Sequence, residues 1–329
     1  MDTEAQSELC FPQLANLSCR KPSSGLSEGV LFNVLMPIIC VFTVLLNLLV
    51  IISISHFRQL HTPTNFLLLS LAVADLLVGL LLIQGCTFGI SNCWFLGDIL
   101  CSLYSLMTFS VTAASIGNMV LISADRYVAI CDPLQYNIKV TVKRIRIAVC
   151  LCWFLSLLYN CIIFTDQLVQ PGKYNSCYGE CAVTIDYHAG LFDSLVTFIL
   201  PLSIIVALYT RVFVVAVSQA RAERSRVKCV KLRHSAPFRA KKSELKAART
   251  LGVLVLFFLL CFCPYYIVFI TTDSRIITPL QISVLYLYSF NSCVNPLIYA
   301  LFYPWFRRAV RQIVNLQILQ PGSCEASVL

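Results

Sequence analysis

Three acids stand where the chain is otherwise apolar, and they are the residues best placed to do chemistry. Asp125 lies beside Arg126 and Tyr127 at the end of a long apolar stretch that begins at Cys101. Asp75 interrupts the run LSLAVADLLVGLL, and Asp193 interrupts another, eight residues before Pro201. A carboxylate in hydrocarbon is costly, so it pairs, hydrogen-bonds or serves a function. Arg126 can hold Asp125 through a charge-assisted bond. An acid–base pair at a membrane face is a candidate two-state element. Asp75 calls for an ion or a polar cluster; Ser115, Asn291, Ser292 and Asn295 are the groups expected to converge on it, with a sodium ion expected at the acid. Asp193 has no basic residue in the nearby outer half of any span to neutralise it.

Enzyme chemistry is not expected. His56, His61, His188 and His234 do not cluster with acids at metal-ligand spacing. No Gly-rich phosphate loop or nucleophile motif is present, so apart from the sodium ion at Asp75 neither a metal nor an organic cofactor is expected. A transporter, the distant alternative, would show a repeated half or interrupted helices, and no half repeats here.

The elements that must position these acids are spans of a membrane. The 329 residues are 58% hydrophobic and only 12% charged, about half the charged share of a soluble domain. Apolar spans fall at roughly 30–55, 66–90, 101–127, 147–165, 189–216, 250–272 and 277–303, each near the ~20 residues needed to cross. The expected fold is an all-α membrane protein, a seven-transmembrane helix bundle with a short amphipathic helix after span seven. The expected divisions are an extracellular tail at 1–29, the bundle at 30–303, a membrane-surface helix at 304–317 and a cytoplasmic tail at 318–329. Residues 1–29 are polar, so no cleavable signal is expected. Pro264 should kink span six. The run CDPLQYN reads as an inner loop, and 217–249 as a basic linker.

Basic residues set the orientation. With the N-terminus outside, the inner segments hold Arg58, Arg126, Lys139, Lys143, Arg144, Arg146, the basic 211–249 stretch, Arg307, Arg308 and Arg311; the outer segments hold only Arg20, Lys21, Lys173 and Arg275. The net charge of +9 therefore suits anionic lipid and an inner partner, and no nucleic acid. Cys10, Cys19, Cys93, Cys101, Cys177 and Cys181 lie in or beside outer segments, the oxidising side, with many pairings open. Asn16-Leu17-Ser18 is a sugar acceptor on the outer tail. Cys324 is a candidate for acylation.

Over roughly residues 30 to 317 the chain resembles a rhodopsin-like (class A) G-protein-coupled receptor. The resemblance rests on Asn47, Leu71 to Asp75, Asp125-Arg126-Tyr127, Trp153, Pro201 with Tyr209, Phe258 with Cys261 and Pro264, and Asn295-Pro296 with Tyr299. Asn291-Ser292, Tyr303, Trp305-Phe306 and the Cys177–Cys181 spacing resemble the trace amine-associated receptors. That resemblance implies a receptor for small cationic amines in the plasma membrane, olfactory in most members. It also implies a heterotrimeric G protein of the stimulatory or olfactory type, signalling to cyclic AMP from olfactory cilia. A neuromodulator receptor outside olfaction is the alternative. The activation switch implied comprises Asp125, Arg126, Tyr127, Tyr209, Glu244, Asn295, Pro296 and Tyr299. Leu134 is the implied apolar contact for the G protein. Pro201, Ile116 and Phe258 match the packing relay, and Phe262 replaces the usual tryptophan. Cys101 would pair with Cys181, and Cys177 with Cys19 or Cys10, Cys19 preferred; Cys93 would take the remaining tail cysteine.

The ligand chamber departs from the family pattern. Most aminergic receptors carry an aspartate seven residues after the disulfide cysteine of span three; here Thr108 stands there. The supporting tyrosine of span seven is replaced by Ser289. Asp193, ~12 Å outward of Pro201 along a helix, is expected to bind the ammonium in an inverted pose, an arrangement that some fish-type members resemble. Thr108, Thr112, Phe262, Tyr265, Tyr266, Tyr288 and Ser289 are expected to line the chamber, and Tyr286 to face it. A monoamine, or a polyamine whose second charge reaches the outer loop, is the expected ligand.

Overall fold

The structure, a computed structural model, describes residues 9–14, 16–20, 34–91, 93–183, 185–229, 252–253, 255–268 and 279–328. Side chains are not described for 84–91, 219–229, 279–282 and 285. Every described span is a helix, because a backbone in hydrocarbon must satisfy its own polar groups. Span one is Met36–His56, span two Pro63–Ser91, span three Asp98–Cys131 and span four Val142–Ile163. Span five begins as Tyr187–Asp193, continues through a π-helical segment Ser194–Ile199 and resumes as Leu200–Cys229. Span six is described as Val255–Val268, and span seven is Pro279–Phe302.

Local signals explain where the helices start. Thr141 caps span four, its hydroxyl accepting from the Arg144 N–H. Asp186 caps span five by accepting from the His188 N–H at 3.1 Å. Asp193 is therefore released from any capping role. The run CDPLQYN, expected as a loop, forms the short helix Pro133–Lys139. Pro133 at its first turn presets the helical φ and lacks an N–H that would go unpaired there. The surface helix is Pro304–Val314, shorter than the expected 304–317. Asn315 closes it and Leu316 adopts a left-handed φ of 56°, so the chain turns before residue 317.

Span three is the central shaft, contacting spans two, four and five. Span seven contacts spans one and two, and the surface helix lies against span one. Trp153 of span four donates its indole N–H to the Ser70 hydroxyl of span two at 3.0 Å. Gly117 lets spans three and four approach closely, since a Cβ there would collide with the Cys152 sulfur. Replacing Gly117 with Ala should cost about 1–3 kcal/mol by overpacking, lowering the melting temperature of purified protein. Adding Cys152→Ala should restore most of it; equal melting temperatures for the single variant and wild type would refute the close approach.

Candidate functional site

At the inner end of span three, Asp125 has a fully buried side chain and Arg126 is only 11% exposed. The Arg126 Nε donates to Asp125 Oδ2 at 3.0 Å. Burial distinguishes this pair from exposed ion pairs, which contribute little. Two partners were not among the residues expected from the sequence. The Thr64 hydroxyl of span two donates to Asp125 Oδ2 at 3.0 Å, and the Tyr136 phenol donates to Oδ1 at 2.9 Å. Arg126 also donates to Thr64. Burial, then the Asp125 charge, push the Tyr136 phenol above its ordinary pKa, so it remains a donor at neutral pH. Tyr136 was hidden because CDPLQYN reads as a loop; Pro133 after Asp132 was the overlooked helix-start signal. Tyr127 is exposed. Glu244 lies outside the described residues.

The buried hydroxyls of Tyr209 and Tyr299 have no hydrogen-bond partner among the described residues. Tyr299 lies one turn past Pro296, which sits inside the span-seven helix. Unpaired buried polar groups are rare and call for an explanation; here Tyr209 lies near Arg126, while Tyr299 lies in the same core toward Asp75 and Tyr303.

In mid-membrane, Asp75 is fully buried and its Oδ2 accepts from the Asn295 amide at 2.7 Å. Ser292 and Ser115 also lie within interaction range of the carboxylate. Asp75 Oδ1, Asn291 Oδ1 and Asn47 Oδ1 are buried without partners among the described residues. Asn47 instead ties spans one and seven, donating to the Ser292 carbonyl at 2.9 Å.

On the outer side, Asp193 Oδ1 accepts from the Tyr159 phenol of span four at 3.0 Å. The π-helical segment after Asp193 turns the chain less per residue than an α-helix. The acid therefore faces a different direction from the one that counting from Pro201 implies. Tyr159 was not anticipated; its place on span four, six residues past Trp153, was the available signal. The chamber centre is filled with aromatic rings. Tyr288 donates to the Thr112 hydroxyl at 2.8 Å, and its ring lies 4.6 Å from both Phe262 and Tyr265. Tyr266 stacks on Phe198 at 4.0 Å, and Phe262 stacks on Phe258 at 4.4 Å. Ser289 is buried. The Thr108 hydroxyl donates to the Tyr104 carbonyl of its own helix at 2.8 Å. Tyr286, expected at the chamber, instead packs with Met36, Ile39 and Cys40 of span one, because its position on span seven faces that neighbour.

Over the chamber, Cys101 bonds Cys181, Cys19 bonds Cys177, and Cys10 bonds Cys93. Backbone bonds lace the tail to the second outer loop: Cys19 N–H to the Tyr178 carbonyl at 2.9 Å and Tyr178 N–H to the Leu17 carbonyl at 2.7 Å. Gly179, at φ +101°, lies against Cys10 with no room for a Cβ to spare. On the same rim, hydrogen bonds from Lys173 and Tyr174 hold the Asp166 carboxyl below its ordinary pKa. Asn16 is exposed.

The sequence family described as "7 transmembrane receptor (rhodopsin family)" matches residues 46–299. Trace amine-associated receptor 8a of Rattus norvegicus is 36% identical, covering 99% of this chain and 98% of the relative. Trace amine-associated receptor 13c of Danio rerio is 34% identical over 100% and 99%, and trace amine-associated receptor 1 of Mus musculus 35% over 96% and 98%. The chain belongs to the trace amine-associated receptors of the rhodopsin family. It is a multi-pass membrane receptor and not an enzyme.

Within this receptor the Asp125 cluster ties the shaft to span two and to the inner helix. Removing one donor should loosen it. Tyr136→Phe deletes one bond to a charged group, worth about 1.5–3 kcal/mol, and should raise ligand-independent signalling several-fold at equal surface expression. Unchanged basal signalling would show that the Tyr136 bond does not restrain the switch.

Proposed function

We propose that this receptor is activated by amines, through an ammonium bound at Asp193, and acts on a heterotrimeric G protein of the stimulatory type to raise cyclic AMP, in an olfactory setting at the plasma membrane. The observation that carries the reading is the half-buried Asp193 carboxylate inside span five, held by a neutral phenol. A neutral donor orients a carboxylate without cancelling its charge, so a cation remains the natural complement. The names of the relatives, trace amine-associated receptors, support the same ligand class. Tyr265, Tyr266 and Tyr288 add aromatic faces that favour an ammonium by ~0.5–2 kcal/mol each.

Activation would redistribute the Asp125–Arg126 cluster and give the unpaired Tyr209 and Tyr299 hydroxyls partners. Leu134, 92% exposed on the inner helix, supports a docking role toward the G protein. A sodium ion at Asp75 fits the donors present: the partnerless oxygens of Asp75, Asn291 and Asn47 are the hard ligands such a cation takes. Asp75 would hold it, with Ser115 and Asn291 nearby, and the ion would supply the charge that offsets the buried acid.

In transfected cells, a panel of amines should raise cyclic AMP, and Asp193→Asn should abolish the response with surface expression intact. Unchanged potency in that variant would end the assignment of Asp193. Asp75→Asn should erase any sodium dependence of amine potency; a variant as sodium-sensitive as wild type would remove the ion from Asp75.

A further inference from the structure

A cavity of about 420 Å³ opens between spans three, four and five, within the ~300–1,000 Å³ of small-molecule sites. It shares two residues with the surroundings of the acid. Tyr159 lines the cavity and also donates its phenol to Asp193. Thr197 lines it one turn below, its hydroxyl bonded to the Asp193 carbonyl at 2.8 Å. Apart from Ser156 the rest of the wall is apolar, including Ala113 and Ile116 of span three and Val196 of span five, and among the described residues no charged one lines it. Pro201, eight residues on from Asp193 along span five, lines it as well. By contrast, the centre of the bundle beside Thr112 is occupied by the Tyr288 bond and the rings packed around it.

We infer that this cavity is the tail pocket for the ligand: the receptor takes a monoamine whose ammonium sits at Asp193 and whose alkyl or aryl tail lies between spans three, four and five. The inference rests on the amine reading of Asp193 and adds the ligand class. Charge complementarity picks the occupant, since one acid stands at the head of an apolar groove. A tail gains from each methylene that it removes from water. The second ammonium of a diamine would be stranded in the groove without a partner, so diamines are excluded. Leu155 and Ile162 on the outer wall are 57% and 65% exposed, on the side that meets lipid. The groove is therefore open toward the bilayer, into which amphiphilic amines partition.

The test is a potency series of straight-chain alkyl monoamines and of diamines of equal length, on wild type, Val196→Phe, Ala113→Leu and Asp193→Asn, each at matched surface expression. In wild type, potency should rise with chain length by up to about fourfold per methylene to an optimum, with diamines roughly 100-fold weaker or more. Val196→Phe should shorten the optimal chain and weaken the longest amines by roughly tenfold or more while leaving the shortest nearly unchanged; Ala113→Leu provides a second, smaller filling of the same space. If Asp193→Asn abolishes every response but both filling variants leave the chain-length profile unchanged, or weaken all amines equally as displacement of a bilayer lipid would, the tail pocket is wrong and the amine reading stands. Equal potency of diamines and monoamines likewise removes the tail pocket. If Asp193→Asn leaves potency unchanged, the amine reading itself fails and takes the tail pocket with it.

Discussion

A carboxylate inside hydrocarbon must find a donor, and this constraint organises the receptor at three depths. Near the outer face Asp193 takes the Tyr159 phenol and joins spans five and four. In mid-membrane Asp75 takes the Asn295 amide and joins spans two and seven. At the inner face Asp125 gathers Arg126, Thr64 and Tyr136, joining span three to span two and to the inner helix. Apolar contact between helices carries little preference for one rotation over another in lipid, because the tails are as apolar as the side chains. Directional bonds to the acids supply that preference.

The three acids also differ in what they leave unfinished. The inner one is saturated by a cation and neutral donors, which suits a latch. The middle one keeps an unpartnered oxygen among other unpartnered oxygens, which suits an ion. The outer one is held only by neutral groups in the described residues, which suits a cationic ligand. Span three connects these levels. Its top is pinned by Cys101 to Cys181, and its foot carries the Asp125–Arg126 pair. Its middle lines the apolar groove at Ala113 and Ile116, while Thr108 spends its hydroxyl on its own helix. The shaft thus holds the chamber in shape without supplying the charge.

Aromatic packing runs through the middle of the bundle. Tyr288, Phe262 and Phe258 form a continuous row of contacting rings, with Tyr265 against Tyr288. Phe262 has no N–H to donate. Its contribution is therefore packing alone, and displacement of the stack is opposed by dispersion and burial rather than by a hydrogen bond. At Gly117 the Cys152 sulfur of span four occupies the space that a Cβ would need.

Much of this was legible in the residues themselves. Apolar runs of sufficient length marked the spans, and the ordered motifs from Asn47 to Tyr299 marked the family. Spacing along a helix sets depth at ~1.5 Å per residue, so the levels of Asp75, Asp125 and Asp193 followed from the sequence alone. Direction and partner did not follow. The π-helical segment after Asp193 changed its azimuth, Pro133 turned an apparent loop into the helix that delivers Tyr136, and Tyr286 faced span one rather than the chamber. The pairing of Cys19 with Cys177 and of Cys10 with Cys93 depended on how the tail lies on the second outer loop. Each of these is a contact between segments far apart in the chain, governed by rotation and packing, which only the tertiary structure decides.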